Sequence, residues 1–148
     1  MTLDESGYKL ITEFEGLRLK PYLDSVGVPT IGYGSTYYED GTKVKMTDKP
    51  ITKKRAFQLF QKVADDFAFK VNKKLFRRVN QNQFNALVSL AYNIGMGNFT
   101  ESTLLDKVNK NPLDRDIYNQ FLRWNKGGGR VIYGLTVRRK REAELYNT

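Results

Sequence analysis

Two carboxylates lie where the pattern of the sequence changes from helical to strand-like. Glu15 is followed at once by Gly16, which predicts the end of a helix, where the local dipole disfavours a negative charge and a proton is held longer. Asp24 lies in a polar turn and is expected to stay ionised. A proton donor and an ionised carboxylate are the pair that glycoside hydrolysis requires. Carboxylates near turns also occur in proteins without catalysis, so the pair alone leaves both interpretations open.

The chain contains no histidine and no cysteine. Their absence excludes nucleophilic catalysis by Ser or Cys with a His base, disulfide bonds, thiolate redox chemistry, and zinc or haem held by imidazole or thiolate. An enzyme with this sequence is therefore expected to use carboxylates as its acid and its base.

Three other patterns could bind ligands, but each has a plainer interpretation. The glycines at 127–129 lack the Lys-Ser or Lys-Thr that follows in a phosphate loop, and they predict a flexible connection. Asp65 and Asp66 could suggest a Mg²⁺ site, although adjacent carboxylates on a helix diverge. The basic run 138–141 could bind nucleic acid, although acidic and apolar residues share its helix. Only the basic run stays open as a binding element.

The spacing of apolar residues places the two carboxylates between a short helix and a small sheet. Thr2 and Glu5 form a capping box before a helix that Gly16 ends. Three strand-like runs, at 17–23, 28–38 and 43–46, are interrupted by glycines and an Asp-Gly turn and predict a small antiparallel sheet over residues 17–46.

Beyond Pro50 the pattern is helical. A helix of about 22 residues capped by Thr52 comes first, and further helices are predicted over 82–94, 101–108, 113–124 and 136–146. A strand block followed by a helix block is the α+β class. A chain of 148 residues fits one domain. We expect a β lobe over about 17–50 and a larger helical lobe over about 52–148 that includes the N-terminal helix, with the long helix joining them.

The charge is unevenly distributed along the chain. The total of 25 basic and 16 acidic residues gives +9, but residues 1–50 hold 6 basic and 8 acidic side chains, whereas 51–148 hold 19 and 8. The second part should therefore seek a polyanion, such as nucleic acid, anionic lipid or an acidic wall polymer. No run of 18 apolar residues and no signal-peptide pattern is present, which predicts a protein made in the cytosol.

The spacing Glu15, eight residues, Asp24, five residues, Thr30 resembles the phage-type lysozymes of glycoside hydrolase family 24, which are endolysins that cut bacterial peptidoglycan. Residues 85–95 resemble the central buried helix of that family, and 134–142 resemble its closing helix, with the segment 102–105 between them. The resemblance covers nearly the whole chain in order. It implies a lysozyme-like α+β fold.

The resemblance also implies roles for three side chains. Glu15 would be the general acid that protonates the glycosidic oxygen between N-acetylmuramic acid and N-acetylglucosamine. Asp24 would favour positive charge at the anomeric carbon, and Thr30 would help to hold the attacking water, in an inverting hydrolysis. No metal and no cofactor is implied.

Five further residues take their predicted roles from the same resemblance. Thr36, Tyr92, Asn93 and Ser102 fall where relatives line the saccharide groove, although a core or capping role fits them equally well. Arg138 is expected to form an ion pair with Glu15. A cation there would favour the ionised carboxylate and so oppose the acid role.

The resemblance implies a bacteriolytic muramidase that is monomeric and needs neither nucleic acid nor a transmembrane segment. It would wait in the host cytoplasm until a separate membrane-opening protein, a holin, lets it reach the cell wall and cause lysis. Two alternatives stay open. One is a lytic transglycosylase, which closes the muramic acid on itself without water, and the other is a non-enzymatic basic module that binds nucleic acid or membranes.

Overall fold

The chain, described over all 148 residues by a computed structural model, divides into two compact units. One unit consists of Met1–Gly7 and Asp66–Thr148, and the other of Tyr8–Asp65. The boundaries fall inside two helices, α1 (Glu5–Glu15) and α2 (Lys53–Lys74), each of which contributes residues to both units. The single domain expected from the sequence stays a prediction.

The first helix has a different cap from the one predicted. The backbone amide of Gly7 donates to Oδ1 of Asp4 at 3.0 Å, so Asp4 caps α1 and the capping box of Thr2 with Glu5 is wrong. The predicted end of the helix is confirmed, because α1 stops at Glu15 and Gly16 follows.

Two antiparallel strands follow, β1 (Arg18–Leu23) and β2 (Pro29–Gly32). Their register places Tyr22 opposite Thr30. The tip between the strands is the polar turn that contains Asp24, so the hairpin carries Asp24 and Thr30 within one short segment of chain.

The third predicted strand does not form. The segment 43–46 makes only an isolated bridge between Tyr37 and Lys43. The backbone amide of Lys45 donates instead to the carboxylate of Asp48 at 2.8 Å, which turns the chain and lowers the pKa of Asp48. The Lys45 amide, which a third strand would have used to pair with its neighbour, is thus bound by the Asp48 side chain.

One small cluster of buried residues lies beside the hairpin in the Tyr8–Asp65 unit. Ile31, Val44 and Leu59 are buried together, and Tyr38 and Ile51 pack against them. These contacts hold the segment after β2 in place although it forms no strand.

The long helix α2 confirms the predicted start and length. It runs for 22 residues, and the amide of Arg55 donates to Oγ1 of Thr52 at 3.1 Å. Buried residues recur along it at helical spacing, namely Ala56, Phe60, Ala64, Ala68 and Val71. No helix of the chain is both long and apolar enough to cross a bilayer.

The other unit contains five further helices. They are α3 (Gln81–Ile94), α4 (Met96–Thr100), α5 (Thr103–Lys110), α6 (Asp116–Leu122) and α7 (Tyr133–Tyr146). The helix α3 is the centre of this unit, because every residue from Gln83 to Ala91 is buried. It packs against α7, which also packs against α6.

Several helix boundaries differ from the prediction because side chains take the terminal amides. Ser102 caps α5, which therefore begins two residues after the predicted Glu101. The carboxylate of Asp114 accepts from the amide of Asp116 at 2.8 Å, so α6 begins at Asp116 and not at 113.

A short hairpin replaces the flexible connection predicted at 127–129. The strands β3 (Lys126–Gly127) and β4 (Arg130–Val131) pair antiparallel. Gly128 and Gly129 form the tip with φ of +58° and +77°, which are the left-handed values that a tight hairpin turn requires.

Candidate active site

Glu15 is half-buried at the last position of α1. Its carboxylate lies against the backbone of Gly34, because a methyl group built on Gly34 would be 3.5 Å from Oε2 of Glu15. Gly34 has φ +92°, a conformation that favours glycine. A side chain at position 34 would therefore be strained and would also touch the carboxylate.

A tight turn at the end of β2 brings Gly34 to this position. Ile31 and Ser35 exchange two backbone hydrogen bonds of 2.8 Å, which close the turn. Gly32 lies within it at φ +69°, and a methyl group there would come within 3.2 Å of the Ala56 side chain in α2. The backbone beside Glu15 is thus held by hydrogen bonds and by close packing on α2.

The side chains of Asp24 and Thr30 both bind the backbone of Val28. Oδ1 of Asp24 accepts from the amides of Val26 at 2.9 Å and Val28 at 2.8 Å. Oγ1 of Thr30 donates to the carbonyl of Val28 at 2.9 Å, and the same carbonyl accepts from the Asp24 amide at 3.0 Å. The turn therefore orients the carboxylate and the hydroxyl against the backbone of one residue, Val28.

Asp24 and Thr36 line a cavity of about 540 Å³ within the Tyr8–Asp65 unit. Tyr37 and Lys43 line it too, and neither was predicted as a site residue. One signal could have found them, because the turn at Asp40-Gly41 pairs Tyr37 with Lys43 and so brings both towards one place.

Ser102 is buried at the start of α5 and has a structural role. Its hydroxyl accepts from the amide of Leu105 at 3.1 Å and donates to the carbonyl of Phe99 at 2.6 Å. Ser102 also lines a cavity of about 300 Å³, together with Gln120 and Trp124. The capping role weighed for this residue is present, and a saccharide contact stays a prediction.

Tyr92 and Asn93 lie near the end of α3. The ring of Tyr92 packs against Phe67 with 5.4 Å between the ring centres. Asn93 is exposed and lines a cavity of about 500 Å³ with Arg123 and Trp124. Arg123 and Trp124 line the cavity beside Ser102 as well. The two cavities that contain Ser102 and Asn93 therefore share these two lining residues, which the sequence did not predict.

A buried charge network joins α7 to α3. Arg139 and Glu142 are fully buried and form an ion pair of 2.7 Å. Oε2 of Glu142 accepts from the Ser89 hydroxyl at 2.5 Å and from Nε of Arg138 at 3.4 Å. Burial raises the pKa of Glu142, against the opposite effect of the two guanidiniums. The pKa of Arg139 is lowered, also by burial.

The same network reaches the cavity that Asn93 lines. The guanidinium of Arg139 donates to Oδ1 of Asn93 at 2.7 Å and to the carbonyl of Trp124 at 3.4 Å. Two lining residues are therefore held by one buried cation.

The predicted site residues are divided between the two units. Glu15, Asp24, Thr30 and Thr36 belong to the Tyr8–Asp65 unit, whereas Tyr92, Asn93, Ser102 and Arg138 belong to the other. The ion pair between Glu15 and Arg138 stays a prediction. No three His, Cys, Asp or Glu side chains are grouped as the ligands of a metal ion would be.

Comparison with known proteins gives consistent matches. Residues 12–142 match the phage lysozyme family. The endolysin of Bacillus phage PZA is 40% identical over 153 aligned positions, which cover all of this chain and 56% of that relative. The chain thus spans little more than half the length of this relative.

Two solved structures are similar over almost their whole length. The endolysin from Escherichia coli O157:H7 phage FAHEc1 has a TM-score of 0.90 at 37% identity, with 99% of this chain and 93% of that chain covered. A mutant of P22 lysozyme has a TM-score of 0.87 at 35% identity, with coverage of 100% and 99%.

Proposed function

The chain belongs to the phage lysozyme family, and we propose that it is an endolysin that hydrolyses the β-1,4 bond between N-acetylmuramic acid and N-acetylglucosamine in peptidoglycan. The predicted lysozyme-like α+β fold is confirmed by the two structural matches. The family and these matches support a lysozyme-type glycoside hydrolase. The specific muramidase reaction is the finer part of the proposal.

The observation that carries the proposal is the arrangement around Val28. Asp24 binds the backbone amide of Val28 and Thr30 binds its carbonyl, in the same unit in which Glu15 ends α1 beside Gly34. A carboxylate and a hydroxyl oriented together suit the side of a sugar at which water attacks, and a separate carboxyl suits the leaving oxygen.

The proposed reaction has one proton donor and one proton acceptor. Glu15 gives its proton to the glycosidic oxygen as the bond to the anomeric carbon breaks. The carboxylate of Asp24 stabilises the positive charge that develops there and takes up a proton from the attacking water. The hydroxyl of Thr30 donates to Val28, so its lone pairs are left to accept a hydrogen bond from that water. Attack from the face opposite the leaving group inverts the anomeric centre.

The remaining expectations are part of the same proposal. Thr36 would contact saccharide from the cavity beside Asp24, and Ser102 and Asn93 would do so from the two cavities that share Arg123 and Trp124. We propose a monomer that accumulates in the host cytoplasm and depends on a holin to reach the wall.

The proposal is tested by turnover of purified peptidoglycan with wild type, Glu15→Gln and the matched control Glu13→Gln. Loss of the acid should lower turnover by about 10² to 10⁴-fold. The melting temperature should stay near that of wild type, because Gln preserves the shape of the side chain. Glu13, two residues earlier on the same helix and exposed, should tolerate the change.

The products of the same digests separate the alternatives. Hydrolysis leaves reducing muramic acid ends, and an α-configured product at first formation indicates inversion. Anhydromuramic ends would show a transglycosylase. Unchanged turnover by Glu15→Gln would remove the catalytic role of Glu15, and an absence of turnover by wild type would leave a non-enzymatic basic module.

A further inference from the structure

The end of α2 and the loop after it present aromatic rings and cations together. Phe69 is 60% exposed and Phe76 is 79% exposed, which is unusual for phenyl rings. Nζ of Lys73 lies 4.4 Å from the centre of the Phe69 ring. We call this surface the α2 patch, and it consists of Phe69, Lys73, Lys74, Phe76, Arg77 and Arg78.

The structure holds the α2 patch in its outward position. Val71 is buried, so the helix packs on that side and leaves Phe69 on another face. The amide of Phe76 donates to Oδ1 of Asn109 at 2.9 Å, and Nδ2 of Asn109 donates to the carbonyl of Lys74 at 3.0 Å. The exposure of Phe76 is therefore a property of an anchored backbone and not of a frayed end.

The charge of this segment is of one sign. Residues 69–78 contain five Lys and Arg and no Asp or Glu. The adjacent acid, Asp66, forms an ion pair of 2.9 Å with Lys70. Four cations within the α2 patch are left to face an anionic partner.

We propose that the α2 patch docks the protein on an anionic lipid bilayer. Phenyl rings gain by entering the boundary between headgroups and acyl chains, and neighbouring Lys and Arg side chains reach the phosphates of anionic lipids. A soluble polyanion such as a wall polymer or nucleic acid would satisfy the cations but would leave two phenyl rings in water. A bilayer complements both features, and the proposal does not depend on the hydrolase activity.

The test is co-sedimentation with vesicles of phosphatidylglycerol and phosphatidylcholine, compared with phosphatidylcholine alone. One variant removes the rings, Phe69→Ser with Phe76→Ser, and its control is Leu113→Ser with Tyr133→Ser, two residues that are 80% and 82% exposed elsewhere in the same unit. A second variant removes charge, Lys73→Gln, Lys74→Gln and Arg77→Gln, and its control of equal net charge is Lys49→Gln, Lys53→Gln and Lys140→Gln.

Each patch variant should bind the anionic vesicles at least about tenfold more weakly than its control. Both should keep the wild-type melting temperature, and each should turn over peptidoglycan as its own control does, whereas Glu15→Gln should bind vesicles as wild type does. Equal binding to phosphatidylcholine alone would overturn the proposal. Undiminished vesicle binding by the Phe variant would overturn it too. If polyphosphate then displaced wild type from the vesicles, the surface would be assigned to a soluble polyanion.

Discussion

Asp24 has a structural role and a proposed catalytic role, and substitutions can separate the two. One oxygen of its carboxylate accepts two backbone hydrogen bonds that shape the turn before β2. The negative charge of the same group is what the proposed reaction uses. An amide at this position keeps an oxygen for the turn but loses the charge, whereas a methyl group loses both.

We therefore expect Asp24→Asn to fold normally and to lose about 10²-fold or more in turnover. Asp24→Ala should lose activity and also stability, by about 1 kcal/mol for each hydrogen bond removed. Turnover of peptidoglycan and urea unfolding measure the two effects. Wild-type turnover in Asp24→Asn, with loss only in Asp24→Ala, would reduce Asp24 to a residue of the turn.

The sequence marks Glu15 and Asp24 as candidates for catalysis but does not mark all the residues that line the cavities. Glu15 and Asp24 stand beside local signals, a glycine that ends a helix and a polar turn, and such signals act over a few residues. Arg123 and Trp124 line cavities that exist only once distant segments pack together. No local pattern marks those residues.

At the scale of elements, α3 begins with a capping box. Because its residues from Gln83 to Ala91 are all buried, the stability of this helix matters to the whole unit. Oδ1 of Asn80 accepts from the amide of Gln83 at 2.7 Å, and Oε1 of Gln83 accepts from the amide of Asn80 at 2.8 Å. This reciprocal pair satisfies two amides that the helix cannot bond itself.

Asn80→Ala should consequently lower the free energy of unfolding by about 1 kcal/mol, within the range of about 0.5 to 2 kcal/mol for such caps. Asn82→Ala, two residues along the same helix, is the control and should change stability by less than about 0.5 kcal/mol. Urea unfolding followed by circular dichroism measures both. Equal effects of the two substitutions would contradict a capping role.

The contact of α7 with α3 depends on a pair of buried charges. Replacing Glu142 by Gln leaves Arg139 buried without a full counter-charge, and we expect a loss of about 3 to 5 kcal/mol. Glu144→Gln, which is exposed on the same helix, should be nearly neutral. Changing Arg139 and Glu142 together to Met should cost less than Glu142→Gln, because the fully buried guanidinium of Arg139 is then removed together with its counter-charge. Wild-type stability in Glu142→Gln would show that the pair contributes nothing.

Long periodic helices were predictable, whereas short elements were not. The 22 residues of α2 carry many apolar positions at one spacing, and its cap at Thr52 is local. The expected strand at 43–46 is absent because Asp48 bonds the amide of Lys45. The hairpin of β3 and β4 was missed because consecutive glycines fit a flexible link as well as a tight turn.

At the scale of the whole molecule, charge should govern the approach to the wall. A net charge of +9 attracts the protein to an anionic polymer, and salt shortens the screening length from about 10 Å at 0.1 M to about 3 Å at 1 M. Turnover of peptidoglycan at low wall concentration should therefore fall as salt rises. Turnover of a short uncharged saccharide is the control and should change little. A rate on wall that is constant or rises with salt would contradict this steering.

The tip of the hairpin formed by β3 and β4 is a suitable site for inserting residues. Alpha-carbon substituents at Gly128 and Gly129 would meet nothing within 4 Å, and both residues are exposed. Residues inserted between them would extend into solvent, and the paired strands β3 and β4 would hold the two ends of the insertion together. A reporter peptide or a fluorophore carrier grafted at this point would follow the protein in binding and peptidoglycan assays without altering either terminus.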